Sequence, residues 1–203
     1  GMKESTVKNL QATMKLHGFY GGEVNGVWDD KSHASFYSIV EAASDKDIKP
    51  VVKEQKYKLS NTSLNRLKGI KPSLHRVVER AIFLSDVDFM VVEGLRTKAK
   101  QAEYVRKGAS QTMNSKHLTG DAVDIVPYVN GKADWDNWDN IFKMTTAMQK
   151  AAQELGIPIK WGGAWVVLNS QSDTPYQLVE QYTARQRYAG TKALMDGVHI
   201  ELA

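Results

Sequence analysis

Two short segments, far apart in the chain, contain the residues that most constrain its fold. The first is Ser115-Lys-His-Leu-Thr-Gly-Asp-Ala-Val-Asp124 and the second is Asp196-Gly-Val-His199. Because the chain has five histidines and no cysteine, a zinc site must use imidazole and carboxylate ligands. Catalytic zinc is held by three protein ligands with a fourth position open to water. His117, Asp124 and His199 supply three such ligands, and we predict that they bind one Zn²⁺ ion.

The residues around both segments alternate in a way that predicts two short β-strands. A β-branched run in residues 122–126 places Asp124 on one face of a strand, and residues 198–202 place His199 on the polar face of another. If these strands pair, the two side chains converge on one ion. The remaining ligand then comes from the loop before the first strand, where Gly120 permits a tight turn.

Two more carboxylates accompany the predicted ligands. Asp196 precedes His199 by three residues, and Gly197 lets it lie on the turn before the strand. A carboxylate that does not bind the metal can accept a proton from metal-bound water. Glu201 shares a strand face with His199, so it either positions that histidine or is a solvated carboxylate at the strand end.

These motifs resemble the M15 (LAS) group of zinc peptidases, which contains D,D-carboxypeptidases, dipeptidases and phage L-alanyl-D-glutamate endopeptidases. The matching pattern is Ser-x-His-x-x-Gly-x-Ala-x-Asp followed by a late Asp-x-x-His. Upstream, Glu93-Gly-Leu-Arg96-Thr resembles the group's Gly-x-Arg segment, and downstream Trp161-Gly-Gly-Ala-Trp165 resembles its Trp-Gly-Gly turn. The resemblance covers residues 60–203.

The resemblance implies roles for several residues. Asp196 is expected to be the general base, and Arg96, with Gln101, is expected to stabilise the oxyanion of the tetrahedral intermediate. The tryptophans of the downstream segment fit either the core or the wall of a groove. Substrate binding is assigned to Ser115, Trp161 and Gly162.

The function that the resemblance implies is zinc-dependent hydrolysis of the peptidoglycan stem peptide, as in phage endolysins. Carboxypeptidases and dipeptidases of the group have Glu where this chain has Asp196, which favours cleavage of the L-alanyl–D-glutamate bond. One alternative is a D,D-carboxypeptidase or dipeptidase. Another is a metal-bearing cell-wall-binding protein without turnover, since hedgehog proteins have a fold that resembles this group.

Residues 2–44 differ in character and predict a small helical module. Apolar residues recur at helical spacing at both ends of the segment, and Ser32 is expected to cap the second helix. The intervening turns, with Leu10-Gln11, Gly18-Phe-Tyr20 and Val24-Asn-Gly26, resemble a type 1 peptidoglycan-binding module. The alternative is a helical hairpin that only packs on the enzyme.

The rest of the chain predicts a linker and a catalytic domain. Residues 45–58 are rich in lysine and lack clear periodicity, which is typical of a linker. Residues 59–203 predict an α+β domain in which helices flank a small antiparallel sheet carrying the zinc site. Its expected helices cover residues 72–85, 97–107, 140–155 and 174–188, and a further strand covers residues 89–92.

Composition limits the partners. No apolar run approaches the roughly 18 residues of a membrane span, and no signal peptide is recognisable. We therefore expect synthesis in a host cytoplasm and action on the cell wall after release, without membrane binding. The net charge of +4 suits an anionic polymer such as peptidoglycan, whereas no basic patch interleaved with aromatic residues supports nucleic-acid binding. We expect a monomer.

Overall fold

The structure is a computed structural model that describes residues 1–44 and 56–203. It divides into two compact units, Gly1–Glu54 with Gln153–Gly156, and Gln55–Ala152 with Ile157–Ala203. The predicted linker lies outside the described residues except for residues 56–58, which form neither helix nor strand.

The first unit contains two helices, α1 (Glu4–Leu16) and α2 (Asp30–Ser44). The fully buried Gln11 organises the turns between them, because its side-chain amide donates to the Val27 carbonyl at 2.8 Å and to the Ser32 hydroxyl at 2.9 Å. Its side-chain oxygen accepts the Gly26 N–H at 2.9 Å. A glutamine that is buried in this way is stabilised only because its polar atoms find partners.

Ser32 does not cap α2, which corrects the sequence-based expectation. The helix begins two residues earlier, and the Ser32 N–H and hydroxyl both donate to Asp29 Oδ1, at 2.8 and 2.7 Å. Asp29 therefore provides the capping acceptor, and these hydrogen bonds lower the pKa of its carboxyl group.

The second unit confirms the predicted α+β class. Its sheet has the spatial order β1-β2-β6-β4-β5, with β3 paired to β2, and every pairing is antiparallel. Its strands are β1 (Phe89–Glu93), β2 (Ala122–Val129), β3 (Lys132–Ala133), β4 (Ile159–Trp161), β5 (Val166–Val167) and β6 (His199–Leu202). Its helices are α3 (Asn61–Arg66), α4 (Pro72–Leu84), α5 (Lys98–Arg106), α6 (Trp138–Leu155) and α7 (Pro175–Tyr188).

The local sequence explains several element boundaries. Thr174 caps α7 in a reciprocal capping box with Gln177, and Thr97 caps α5 by accepting the Lys100 N–H. The sequence predicts helices and strands at these positions but neither α3 nor the β2–β3 hairpin. That hairpin turns at Asn130 and Gly131, both with positive φ, which is typical of a two-residue turn.

The core of the second unit lies between the sheet and its helices. Fully buried side chains from α4, α6 and the three inner strands β2, β6 and β4 fill it: Leu74, Val77, Val78, Ile125, Met144, Met148, Ile159 and Ile200. Burial of such side chains is the main stabilising contribution to a domain of this size. Among the described residues, no helix is long and apolar enough to cross a lipid bilayer.

Candidate metal centre

Three polar residues form a row across the sheet. Asp124 on β2 pairs with Glu93 on one side and with His199 on the other. Residues that are directly opposite on antiparallel strands have Cβ atoms only about 4.5–5.5 Å apart. The predicted convergence of Asp124 and His199 is therefore a direct result of strand register.

His117 completes a group of three metal-ligand side chains. Asp124 Oδ1 lies 3.3 Å from His117 Nε2 and 3.1 Å from His199 Nδ1, and the three donor atoms all lie within 4.8 Å of one another. Donors at 2.0–2.2 Å from a tetrahedral zinc ion are about 3.3–3.6 Å apart. The two imidazoles and one carboxylate therefore fit a divalent metal ion both in their chemistry and in their spacing.

The turn before β2 orients His117. Lys116–Thr119 form a short 3-10 helix, and Ser115 Oγ accepts the His117 N–H at 3.2 Å. The Nδ1 atom of this buried ring lies 2.9 Å from the Gly94 carbonyl, which can only accept, so Nδ1–H donates there and Nε2 is directed at Asp124. Gly120 ends the turn with φ +75°, a left-handed conformation that glycine adopts without strain.

Electrostatic coupling shifts the pKa values of two of these groups. Burial opposes ionisation of Asp124, but hydrogen bonds and charge from both histidines hold its pKa well below the usual range. Burial likewise lowers the pKa of His199, but the neighbouring Asp124 and Glu201 carboxylates outweigh it and raise that pKa to about 9. In the absence of metal, the ring is therefore a cation between two anions at neutral pH.

Asp196 lies beside the three side chains on a turn that is held by its backbone. Its N–H donates to the Gly162 carbonyl at 2.9 Å, and its own carbonyl accepts the His199 N–H at 3.2 Å. Asp196 is exposed to solvent, yet partial desolvation and the nearby Asp124 charge raise its pKa, while the histidines and the Val198 N–H offset part of this rise. It is thus an accessible carboxylate with an increased proton affinity.

Arg96 is held rigidly at the other side of the group. Its Nε and Nη2 atoms donate to the two oxygens of Glu93 at 2.9 and 2.8 Å, and its guanidinium lies over the Tyr104 ring at 4.6 Å. Burial raises the pKa of the Glu93 carboxyl group, but the hydrogen bonds and positive charges of Arg96 and Lys100 outweigh burial. The pKa of Glu93 is therefore lowered. Because a guanidinium has five N–H donors, one Nη2 hydrogen remains for another acceptor.

Gln101, predicted to act together with Arg96, contacts that residue directly. The side chain is fully buried, and its oxygen accepts from Arg96 Nη1 at 2.6 Å. Its nitrogen donates to the Ser110 hydroxyl at 3.0 Å and to the Thr112 carbonyl at 2.6 Å. With its polar atoms used in this way, Gln101 fixes Arg96 and the following loop.

Trp161 and Gly162, which are predicted to bind substrate, do not line the open cavity around the three proposed ligands. The indole of Trp161 is fully buried against α6, and its N–H donates to the Gly197 carbonyl at 2.8 Å. A Cβ atom on Gly162 would lie 2.5 Å from the Asp196 carbonyl oxygen, so only glycine allows this close approach. Both residues therefore position the turn that carries Asp196.

An open cavity of about 530 Å³ is lined by the three proposed ligands together with Asp196, Arg96 and Glu93. Ser115, which is predicted to bind substrate, lines this cavity, and its hydroxyl lies 3.4 Å from Arg96 Nη1. The sequence-based site omitted Tyr104, which lines the cavity three residues after Gln101 on the same helix face. Trp165, for which the sequence left the core and a groove wall open, forms a half-exposed wall of the cavity, and its indole N–H donates to the Leu194 carbonyl at 2.7 Å.

Comparison with known proteins identifies the family. A model of the phage L-alanyl-D-glutamate peptidase family matches residues 55–203, which include every residue of this cavity. The chain belongs to this family. It is therefore a peptidase, and the sequence-based alternative of a wall-binding protein without turnover is removed.

Individual relatives agree with the family assignment. The L-alanyl-D-glutamate peptidase of Escherichia phage T5 is 34% identical over 149 residues, which are 72% of this chain and 98% of that protein. A Listeria phage protein of the same name is 34% identical over 79 residues, 39% of this chain and 27% of that protein. The Serratia marcescens L-Ala D-Glu endopeptidase ChiX, a crystal structure, superposes with a TM-score of 0.56 at 36% identity, covering 73% of this peptidase and 92% of ChiX.

Proposed function

We propose that this peptidase is a zinc-dependent endopeptidase that cleaves the L-alanyl–D-glutamate bond of the peptidoglycan stem peptide. One observation carries the proposal: the donor atoms of His117, Asp124 and His199 lie within 4.8 Å of one another in an open cavity that also contains Asp196 and Arg96. A three-ligand site in an open cavity leaves room for water and substrate, as catalytic zinc requires.

The proposed reaction assigns a separate role to each group. A zinc ion held by the three side chains would supply Lewis acidity, polarising the scissile carbonyl and lowering the pKa of a water molecule. Asp196 accepts the proton of the attacking water and later donates it to the leaving amine. Its raised pKa suits that exchange, because a general base works best when its pKa approaches the working pH.

Arg96 stabilises the oxyanion that develops at the carbonyl. Its guanidinium is fixed by Glu93 and Gln101 before the substrate arrives, so little reorganisation accompanies the reaction. Ser115 lies beside it and is proposed to contact the substrate from the cavity wall. The positive charge and its fixed orientation support an acyl-transfer reaction over simple metal storage.

The names of the relatives support the choice of bond. The phage T5 protein and ChiX are both named for the L-alanyl–D-glutamate bond, and this chain covers more than nine-tenths of each. The alternative is a D,D-carboxypeptidase or dipeptidase, which would release D-alanine or a dipeptide instead.

Digestion of purified muropeptides tests the proposal. The full chain is incubated with tetrapeptide-containing muropeptides, and the products are identified by mass spectrometry. The expected products are muramoyl-L-alanine and a peptide with a free D-glutamate amine, formed only when zinc is present and lost after chelation. Release of D-alanine would support the carboxypeptidase alternative, and zinc-independent cleavage would contradict the metal site.

A further inference from the structure

The His199 ring contacts a carboxylate at each of its two nitrogens. Nδ1 lies 3.1 Å from Asp124 Oδ1, and Nε2 lies 2.9 Å from Glu201 Oε2. An imidazole that binds a metal through one nitrogen carries its proton on the other, and the partner of that proton selects the tautomer. His117 uses the Gly94 carbonyl for this purpose, whereas His199 faces a charged side chain.

Glu201 is itself held in place. Its other oxygen, Oε1, lies 3.2 Å from the ammonium group of Lys116, which also donates to the Leu202 carbonyl at 2.5 Å. Only 14% of the Glu201 side chain is exposed, so its carboxylate has a restricted orientation. Lys116 directly precedes His117, and the ion pair therefore joins the turn that carries one proposed ligand to the strand that carries another.

We propose that Glu201 is a positioning residue for the metal centre: it accepts the Nε2–H of His199 and so directs Nδ1 toward the metal. This inference rests on the proposed role of His199 as a ligand. Carboxylate partners of metal-binding histidines fix the ring orientation and increase its basicity, and their loss lowers metal affinity about 10–100-fold.

The same geometry separates Glu201 from catalysis. Glu201 contacts Nε2 of the imidazole, whereas Asp124 contacts Nδ1 on the other side of the ring, so Glu201 acts on the metal centre through His199. Asp196 and Glu201 both line the cavity, but Asp196 lies on the turn before His199, and the Glu201 carboxylate is already engaged by His199 and Lys116. The two carboxylates that flank His199 in sequence thus have different functions.

Zinc affinity and histidine NMR test this role in the full-length protein. Zinc dissociation constants are measured by competition with a chromophoric chelator for the wild type, Glu201→Ala and Glu201→Gln. Glu201→Ala should weaken binding about 10–100-fold. Glu201→Gln should lose less, because its side-chain carbonyl still accepts the hydrogen bond. Glu103→Ala is the matched control, since Glu103 also pairs with a lysine, at 2.6 Å, but does not line the cavity.

Spectra of ¹⁵N-histidine-labelled, zinc-loaded protein provide the second measurement. The wild type should show a slowly exchanging Nε2–H of His199, which Glu201→Gln retains and Glu201→Ala loses to exchange with water. Equal zinc affinity and an unchanged Nε2–H in Glu201→Ala would overturn the role of Glu201 alone. If the wild type does not bind zinc, or if His199→Ala binds it as well as the wild type, the proposed metal site is overturned and this inference with it.

Discussion

Asp124 and His199 occupy directly opposite positions on β2 and β6, with Asp124 Oδ1 3.1 Å from His199 Nδ1. Side chains alternate between the two faces of a strand, so a one-residue slip in the pairing would move His199 to the other face. The register of these two strands therefore determines whether the metal centre can form. Measurements of zinc content, turnover and stability can distinguish substitutions that affect the site from those that affect the sheet.

Asp196→Asn should separate catalysis from metal binding. Asparagine keeps the size of the side chain and an oxygen that can accept the Val198 N–H, but it cannot accept the proton. Turnover of muropeptides should fall roughly 10²–10⁴-fold, with zinc content and melting temperature unchanged. His199→Ala should lose zinc and activity together. Full hydrolysis by Asp196→Asn would mean that another group is the base.

Arg96→Lys should lower turnover without releasing zinc. Lysine retains the positive charge but cannot form the bidentate pair with Glu93 or the bond to Gln101, so its ammonium is not fixed for the oxyanion. We expect kcat to fall about 10²–10³-fold. Lys100→Met is the control, because Lys100 also pairs with Glu93, at 3.1 Å, but does not line the cavity. A similar loss of kcat in both variants would indicate that the net charge around Glu93 matters more than the Arg96 guanidinium.

Zinc affinity should increase with pH. The pKa of metal-free His199 is raised to about 9, so at neutral pH the ring carries a proton on the nitrogen that the metal needs. Binding must displace this proton, and affinity should rise about tenfold per pH unit below that pKa and level off above it. Calorimetry in buffers of different ionisation enthalpy should detect about one proton released per zinc ion at pH 7. A pH-independent dissociation constant would contradict this coupling.

Gly162→Ala should disturb the turn that carries Asp196. The new Cβ atom would lie 2.5 Å from the Asp196 carbonyl oxygen and 3.2 Å from the His199 Cβ, and both contacts involve groups that cannot move freely. We expect the free energy of unfolding to fall by about 1–3 kcal/mol and the turnover to fall with it. Gly21→Ala is the control, since nothing lies within 4 Å of its added Cβ. Chemical denaturation and muropeptide assays measure both effects.

Residues 2–44 are proposed to bind peptidoglycan, as their resemblance to a type 1 peptidoglycan-binding module suggests. Deleting them should reduce co-sedimentation with purified sacculi while leaving hydrolysis of small soluble muropeptides nearly unchanged. The measurement compares the full chain with the deletion variant in both assays. Equal loss of both activities would show that the segment supports the catalytic unit instead.

The sequence predicted that His117, Asp124 and His199 lie close together, because local pattern and motif agreed. Alternation in β2 and β6 placed Asp124 and His199 on polar strand faces, and the structure brings those faces together. Gly120 was expected at a tight turn, and its φ of +75° confirms that requirement. Such features depend on residues that are close in sequence or on simple two-residue periodicity.

Other features depended on contacts that the sequence does not encode locally. Trp161 was assigned to substrate binding, although the core was the other reading of this tryptophan; β4 is an inner strand of the sheet, and its alternate residues are buried. Glu93 belongs to the recognised Glu-Gly-Leu-Arg segment, but its bidentate ion pair with Arg96 depends on the positions of both side chains, which the sequence does not give. Ser32 was chosen as a cap, although Asp29 is an equally suitable residue type and lies three residues earlier.

Strand β6 is the last of the described strands in the chain but lies inside the sheet, between β2 and β4. It contributes His199, which is 75 residues from Asp124 in sequence, and it must insert after its neighbours have been synthesised. Closing such a long loop is an entropic barrier that local contacts do not lower. A chain in which β6 has not yet paired would lack one of the three proposed ligands, so the proposed metal centre can form only after this strand has joined the sheet.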